Sequence, residues 1–431
     1  MDKKIRLAEE ILAEAKAQGA EYAHCTVSES EKKEFNVDGG RFSLMRTLFD
    51  RNVLITALKG QRKGTVQINR FDADAVKAAV ADAIAACESG KADPAWQFAE
   101  GPAEADFTDG APECDTDRLF TRTKELLETI EEKHPKILME QMITEHDTVS
   151  KVFLSTNGVQ YRTRAGCYSF GLMYSAHEGE KSTSFYGSDV TLKTLDRPVI
   201  ESAFIDRDLG MVEQQLDPMT LDEKFVGPVI LAPYALSEIV LGTILGNFVS
   251  DSSLIDGTSI WKDRLGQQVA DSAFSLSFEP FSEDVVIPSR YTGEGYAAEN
   301  YDLIRDGRLV SFALSQYGAN KTGGKRAGNS SGSMRVAPGE KTLDEIIRGM
   351  DRGLLVMRFS GGSPAPSGEF SGVAKNSFLI RGGKIAGALT ETMISGCVPD
   401  MLRNIRAISS DTLRDGSVVL PYIAFDGLTI S

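Results

Sequence analysis

The chain has 431 residues, 42% hydrophobic and 25% charged, with 47 Lys and Arg against 62 Asp and Glu, a formal net charge of −15. At ~100–200 residues per domain this is room for two or three domains of ordinary globular make-up. The excess of acid argues against general nucleic-acid binding, which needs clustered Lys and Arg, and no window approaches the ~18–20 apolar residues of a bilayer span.

The start, Met1-Asp2-Lys3-Lys4-Ile5, leads into a Glu-rich helix and not into a secretory apolar stretch. Leu7, Ile11, Leu12 and Ala15 recur at helical spacing over 5–18, and Gly19 stops the run. The period then becomes two. Phe35 and Val37, then Phe42 and Leu44, flank Asp38-Gly39-Gly40, a hairpin signal. Val53–Thr56 and Gly64–Ile68 read as two further strands, and Val76, Val80, Ala83, Ile84 and Cys87 form one side of a second helix. The expected order is α-β-β-β-β-α. Residues 88–115 read as a polar connector rich in Gly, Pro, Ala and Asp. A third helix carries Leu119, Phe120, Leu126, Leu127 and Ile130 and ends before Pro135. Strands resume at 137–144, with Asn157-Gly158 as another hairpin turn.

Weak periodicity and turn formers over 196–223 place the domain boundary there, so the expected division is an N-terminal α+β domain (1–195), a connector (196–223) and a β-rich C-terminal domain (224–431). The second half opens on the apolar strand Val226–Ala232 and a helix-like run at 234–249. Ile304–Leu309 and Ile380–Ile385 each read strand, two-residue turn, strand, and one amphipathic helix starts at Leu343. The fold class is therefore α+β, with a barrel or sandwich in the C-terminal part.

Generic motifs carry little. Gly328-Asn-Ser330-Ser-Gly332 matches G-x-S-x-G, but lacks the strand before and the helix after that would expose a nucleophile. Gly318–Lys325 nearly matches a phosphate-binding loop, but Gly324 displaces the lysine and Arg326 stands where a hydroxyl is needed. Lys321, Lys325 and Arg326 remain candidates for meeting a carboxylate or phosphate. Gly293–Ala298 imitates a dinucleotide fingerprint without its βαβ context. His177-Glu178 lacks the second histidine of a zinc-peptidase helix and reads as a surface pair. The five cysteines are odd in number, widely spaced and free of C-x-x-C, the usage of reduced cytoplasmic thiols.

Longer segments are more telling. Tyr291-Thr-Gly-Glu-Gly295, Leu303–Leu309, Ala319–Gly328, Thr342–Ile347, Arg352–Val356, Ser367–Gly372, Gly387–Thr392, Ile394–Gly396, Asp400–Ile405 and Gly416–Pro421 follow one another in an order that resembles the TldD/TldE (PmbA) family of bacterial and archaeal proteins. The resemblance is specific over 290–421 and looser before it.

The resemblance implies two kinds of member. TldD-type chains look like zinc peptidases, with H-E-x-x-x-H on the first helix of the C-terminal domain and a distant Cys ligand. TldE-type chains lack these and pair with them, and older naming calls the group modulators of DNA gyrase. Here the helix window falls on Ser237-Glu238-Ile-Val-Leu-Gly242, and the Cys position on Arg414-Asp415; Cys397 lies too early. Hydroxyl, hydrogen and carboxylate stand where two imidazoles and a thiolate would bind zinc, and Glu238 then has no metal-bound water to activate.

The resemblance thus implies a TldE-like chain without zinc of its own. It would hold an extended or unfolded peptide for a TldD-type zinc partner, as part of a homodimer or hetero-oligomer, with no nucleic acid or membrane involved. The alternatives are a stand-alone peptidase with a diverged site, using the Lys321–Arg326 loop or Cys397, and a homo-oligomeric peptide-binding protein without catalysis.

Overall fold

The computed structural model describes residues 3–390 and 392–431. The N-terminal half runs α1 (Lys3–Ala17), β1 (Tyr22–Asp38), β2 (Arg41–Lys59), β3 (Arg62–Ile68), α2 (Ala73–Ser89), β4 (Ala103–Gly110), α3 (Thr116–Lys133), β5 (Ile137–Ser155), β6 (Val159–Glu178), β7 (Lys181–Ser182) and β8 (Tyr186–Leu192). Its sheet has the order β3-β2-β1-β5-β6-β4, with β7 and β8 also on β6. The Asp38-Gly39-Gly40 turn joins β1 to β2, both glycines at positive φ (+56° and +76°), as a two-residue hairpin turn requires.

Two expectations for this half need correction. The runs at Phe42–Leu44 and Val53–Thr56 are one strand, β2, so the order before α2 is α-β-β-β-α. The connector at 88–115 holds β4, which lies parallel to β6 from Ala103↔Val159 to Gly110↔Gly166. Its inward positions include Ala103 and Ala105, residues of low strand propensity, so its alternation was easy to pass over.

Residues 196–223 carry α4 (Ile205–Glu213), whose Ile205, Leu209, Met211 and Val212 are buried. These side chains join one continuous core with Leu126 of α3, Phe170 of β6 and, from the second half, Ile230, Leu355 and Tyr422. Each such burial contributes about 1.5–3 kcal/mol, which ties the segment to both halves.

The second half comprises β9 (Phe225–Leu231), α5 (Pro233–Leu236) continued by two π-helical turns (Ser237–Leu241 and Ile244–Phe248), α6 (Asp251–Ile255), β10 (Leu276–Phe278), β11 (Tyr301–Arg305), β12 (Arg308–Leu309), α7 (Gln316–Thr322), β13 (Met334–Val336), α8 (Leu343–Arg348), β14 (Arg352–Gly361), β15 (Glu369–Arg381), β16 (Lys384–Leu389), β17 (Thr392–Cys397), α9 (Val398–Arg403), β18 (Ile405–Arg414) and β19 (Val419–Ile430). Five of these strands close a ring. β9 pairs parallel with β14, β14 with β15, β15 with β17, β17 with β19, and β19 returns antiparallel to β9. The C-terminal half is thus built on a closed barrel, which leaves no open edge in that ring.

The end of β9, Val229–Leu231, is buried on both faces. Val229 and Leu231 pack with Leu236, Ile239, Val356 and Phe425, while Ile230 and Ala232 pack into the core shared with the N-terminal half. A strand covered on both sides reads as an unbroken apolar run, and Val229–Ala232 reads in that way.

Candidate functional site

The barrel sets the position of Ser237, Glu238 and Gly242. β9 ends at Leu231, Ala232 is the cap residue, and Pro233 occupies the first helical position, where its missing N–H costs nothing. Ile239, Val240 and Leu241 are buried, which turns Glu238 and Gly242 outward. Here the helix widens: the Gly242 N–H bonds the Ser237 carbonyl, five residues back. Glu238 Oε2 accepts the backbone N–H of Phe359 on β14 at 3.3 Å, so the carboxylate fastens the helix to the barrel wall.

Asp415 sits in the turn between β18 and β19. Its Oδ1 accepts from Ser417 N–H (2.8 Å), Ser417 Oγ (2.8 Å) and Val418 N–H (3.0 Å). Its carbonyl accepts from Thr191 N–H of β8 at 2.7 Å. The phenol of Tyr234, one turn before Ser237, accepts from Asp189 N–H at 3.3 Å. Burial drives the Tyr234 phenol and the Asp189 carboxyl upward, and Asp415 adds like charge to both. The fold therefore brings the Asp415 turn and the start of the helix to the same strand, β8.

Zinc takes His, Cys and carboxylate ligands, four in a closed site or three plus water in a catalytic one. Ser237 offers a hydroxyl, Gly242 has no side chain, Glu238 holds a backbone amide and Asp415 is spent on its own turn. These residues do not fit the metal. Among the described residues no group of three or more His, Cys, Asp or Glu is arranged to hold a metal ion.

The basic loop divides. Lys321 Nζ lies 3.1 Å from Asp93, whose carboxylate also accepts from Tyr317 Oη at 2.9 Å. Tyr317 stacks on Trp96, and Asn320 Nδ2 donates to the Ala95 carbonyl at 2.9 Å. Together α7 and its lysine clasp the segment before β4. Arg326 lies over the Tyr296 ring at 4.3 Å and donates to the Ala327 carbonyl. Lys325 is exposed. The three cations do not converge on one point of substrate contact.

Cys397 is half-buried at the end of β17, and burial pushes its thiol up, away from the thiolate a nucleophile needs. The Gly328–Gly332 loop has no helix after it. Its Ser331 hydroxyl bonds Tyr301 Oη at 2.9 Å. Neither element is built for covalent catalysis.

Two polar residues went unnoticed in the sequence. Asp208 on α4 is buried beneath Tyr174, Tyr186 and Tyr422, and burial raises its carboxyl to about 8. Asn376 is buried within β15 at a positive φ of +49°. The available signal was an Asn, a poor strand former, just before the apolar run Phe378-Leu-Ile380.

A closed barrel joined to a mixed, largely antiparallel N-terminal sheet defines the class of fold. Residues 225–431 match the PmbA/TldA metallopeptidase C-terminal domain. The chain is 27% identical over 298 residues to "Metalloprotease PmbA" of Escherichia coli O157:H7, an alignment covering 66% of this chain and 59% of that protein. It is 28% identical to a PmbA homolog of Haemophilus influenzae, over 51% of this chain and 49% of that one. The chain thus spans about half of the curated relatives it matches. The fold is that of TldE from Thermococcus kodakarensis (TM-score 0.85, 20% identity, 99% of this chain and 100% of that chain). It is equally that of a protein of Thermotoga maritima described as a putative modulator of a DNA gyrase (TM-score 0.83, 19% identity, 99% and 100%).

Proposed function

We propose that this chain is a TldE-like subunit that holds extended or unfolded peptides for cleavage or maturation by a zinc-bearing TldD-type partner. The observation that carries the reading is the state of the helix site. The positions where the family resemblance puts metal ligands hold Ser237, Gly242 and Asp415, and Glu238 serves as a structural acceptor for Phe359. Hydrolysis by a zinc-bound water is then work for another chain.

The β1–β2 arm supports a role among subunits. β3 covers β2 only from Val53 to Lys59, so residues 41–52 pair with β1 on one side and with no described strand on the other. That free edge carries exposed Phe42, Leu44, Met45, Leu48 and Phe49. An open edge with a large apolar surface is a place for another chain to dock. The same edge also favours a second reading, a homo-oligomeric peptide-binding protein without a catalytic partner. Among the described residues no helix is long and apolar enough to cross a membrane, and the five cysteines are free, which fits a cytoplasmic place.

The test is zinc content by mass spectrometry and peptide cleavage, on the purified chain alone and mixed with a TldD-type protein. No zinc and no cleavage alone, with cleavage in the mixture, is the expected result. About one zinc per chain with cleavage alone overturns it. A stable homo-oligomer indifferent to the partner selects the second reading.

A further inference from the structure

Strands β14 and β15 carry two pairs of like charge. Arg352 stands opposite Arg381, and Arg358 stands opposite Lys375. Like charges directly opposite one another in a sheet repel and destabilise it. The first pair is neutralised within the chain: Arg352 holds Glu223 and Arg381 holds Asp222, both from the end of the connector. The second pair is not. Neither Arg358 nor Lys375 forms an ion pair with any described residue, and the recorded hydrogen bond of Arg358 goes to the neutral carbonyl of Phe185 at 3.2 Å. That contact, with the guanidinium 5.0 Å over the Phe185 ring, leaves further N–H donors of the fork unused.

The open pair adjoins a pocket. A cavity of about 680 Å³ lies between the two halves, inside the ~300–1,000 Å³ range of small-ligand sites. Exposed Lys375 lines it, with the exposed hydroxyl residues Ser182 and Ser184 of the N-terminal half, just before Phe185. Val373, Leu389 and Met393 give it an apolar side. Its floor is fixed by the fold itself, since the buried Asn376 carboxamide donates to Gln215 Oε1 at 2.8 Å and ties β15 to the segment after α4.

The chemistry that answers such a wall is anionic. An ammonium group would add a third like charge, and a neutral amide would leave the repulsion as it stands. A carboxylate accepts from the lysine and the guanidinium and supplies the charge that Glu223 and Asp222 supply to the other pair. The apolar side suits a carboxylate carried next to a hydrocarbon side chain.

We propose that this pocket binds a carboxylate of a peptide, held by Lys375 with Arg358 beside it, with an adjoining apolar side chain against Val373, Leu389 and Met393. The proposal rests on the peptide-holding reading above and names a site for it. The carboxylate can be the C-terminus of the peptide or an Asp or Glu side chain.

The experiment is calorimetric titration of the intact chain with three peptides: acetyl-Ala-Ala-Leu with a free C-terminus, acetyl-Ala-Ala-Leu-amide and acetyl-Ala-Glu-Leu-amide. At least one carboxylate peptide is expected to bind at least ~tenfold more tightly than the uncharged amide. Preference for the free C-terminus assigns the site to chain ends, and preference for the Glu peptide assigns it to side chains. Lys375→Met is expected to remove the preference while melting at or slightly above the wild-type temperature, because the repulsion goes with the charge. Lys375→Glu gives Arg358 the missing carboxylate and is expected to melt higher and to lose binding. Equal binding of all three peptides to the wild type, or an undiminished preference in Lys375→Met, overturns the pocket. If the mixture with a zinc-bearing partner still cleaves peptides in that case, the functional reading stands and only the pocket falls. No peptide binding together with no cleavage in the mixture removes both.

Discussion

Arg290 of the C-terminal half grips Asp109 at the end of β4, its Nε donating to Oδ2 at 3.1 Å and a terminal nitrogen donating to Oδ1. Asp109 is buried, while Arg290 is partly exposed and also faces the rings of Phe107 and Phe281. A forked guanidinium–carboxylate bond adds geometric specificity to charge, so this pair fixes how β4 meets the loop before β11. Removing the cation strands a buried carboxylate. We expect Arg290→Met to lower stability by about 2–3 kcal/mol, read as a fall in the urea midpoint. Arg290→Lys is expected to recover only part of the loss, because an ammonium lacks the fork. A lysine variant as stable as wild type would show that charge alone matters here.

Glu238 separates the partner-subunit reading from a stand-alone enzyme. Its recorded hydrogen bond is with Phe359 N–H, and the amide oxygen of glutamine can accept it equally well. Glu238→Gln is therefore expected to leave both melting and cleavage in the mixture with a TldD-type partner unchanged. Glu238→Ala is expected to cost about 0.5–1.5 kcal/mol. A collapse of activity in the glutamine variant, with folding intact, would mean that the carboxylate acts as a base.

Much of this architecture was legible because turns announce themselves. Asp38-Gly39-Gly40, Asn157-Gly158, Asp306-Gly307 and Gly382-Gly383 all carry residues at positive φ, and each joins two strands as expected. The long strands were less legible. β2 runs 19 residues, and its first eleven positions are exposed on both faces, so the alternation read at Phe42 and Leu44 does not continue through Met45–Arg51. The barrel was unreadable as such, because closure depends on β19 meeting β9 nearly 200 residues away in sequence, beyond the reach of any local pattern. At the candidate site, residue identity alone shows that Ser237 and Gly242 carry no imidazole. The orphaned amides of Asn376 and Gln215 were not legible, since they arise from a contact between the connector and β15.

The free edge of β2 makes a separate claim. Phe49 is 75% exposed and Met45 63%, so neither contributes much to the fold of one chain. Exposed large apolar side chains on a strand with an unpaired edge raise the tendency to associate, and charges at such positions suppress it. We expect the double change Met45→Lys, Phe49→Asp to weaken self-association or binding of a TldD-type partner at least ~tenfold, with melting unchanged. Sedimentation velocity across a concentration series reads the effect. An unaltered mass distribution would move the subunit interface elsewhere.

Asp208 gives the chain a pH dependence whose sign can be worked out. Its carboxyl is held at about 8 by burial, with Arg207 and the Ser188 hydroxyl pulling only weakly the other way. Ser188 Oγ lies 3.4 Å from Asp208 Oδ2 and 2.8 Å from Tyr174 Oη. Buried Tyr186 and Tyr422 lie close enough to feel its charge, so the acid sits most comfortably neutral. In the unfolded chain the same group ionises near the ordinary value of 3.8. Between those two values the folded state therefore holds a proton that the unfolded state has released. Stability from this group is full below about pH 4, falls as pH rises through the window and levels off above about pH 8. Asp208→Asn keeps an acceptor for Ser188 and cannot ionise. Urea midpoints measured from about pH 6 to pH 9 should fall for wild type and stay flatter for the variant, whose advantage grows toward the alkaline end. Parallel curves for the two proteins would mean that Asp208 ionises without cost where it sits.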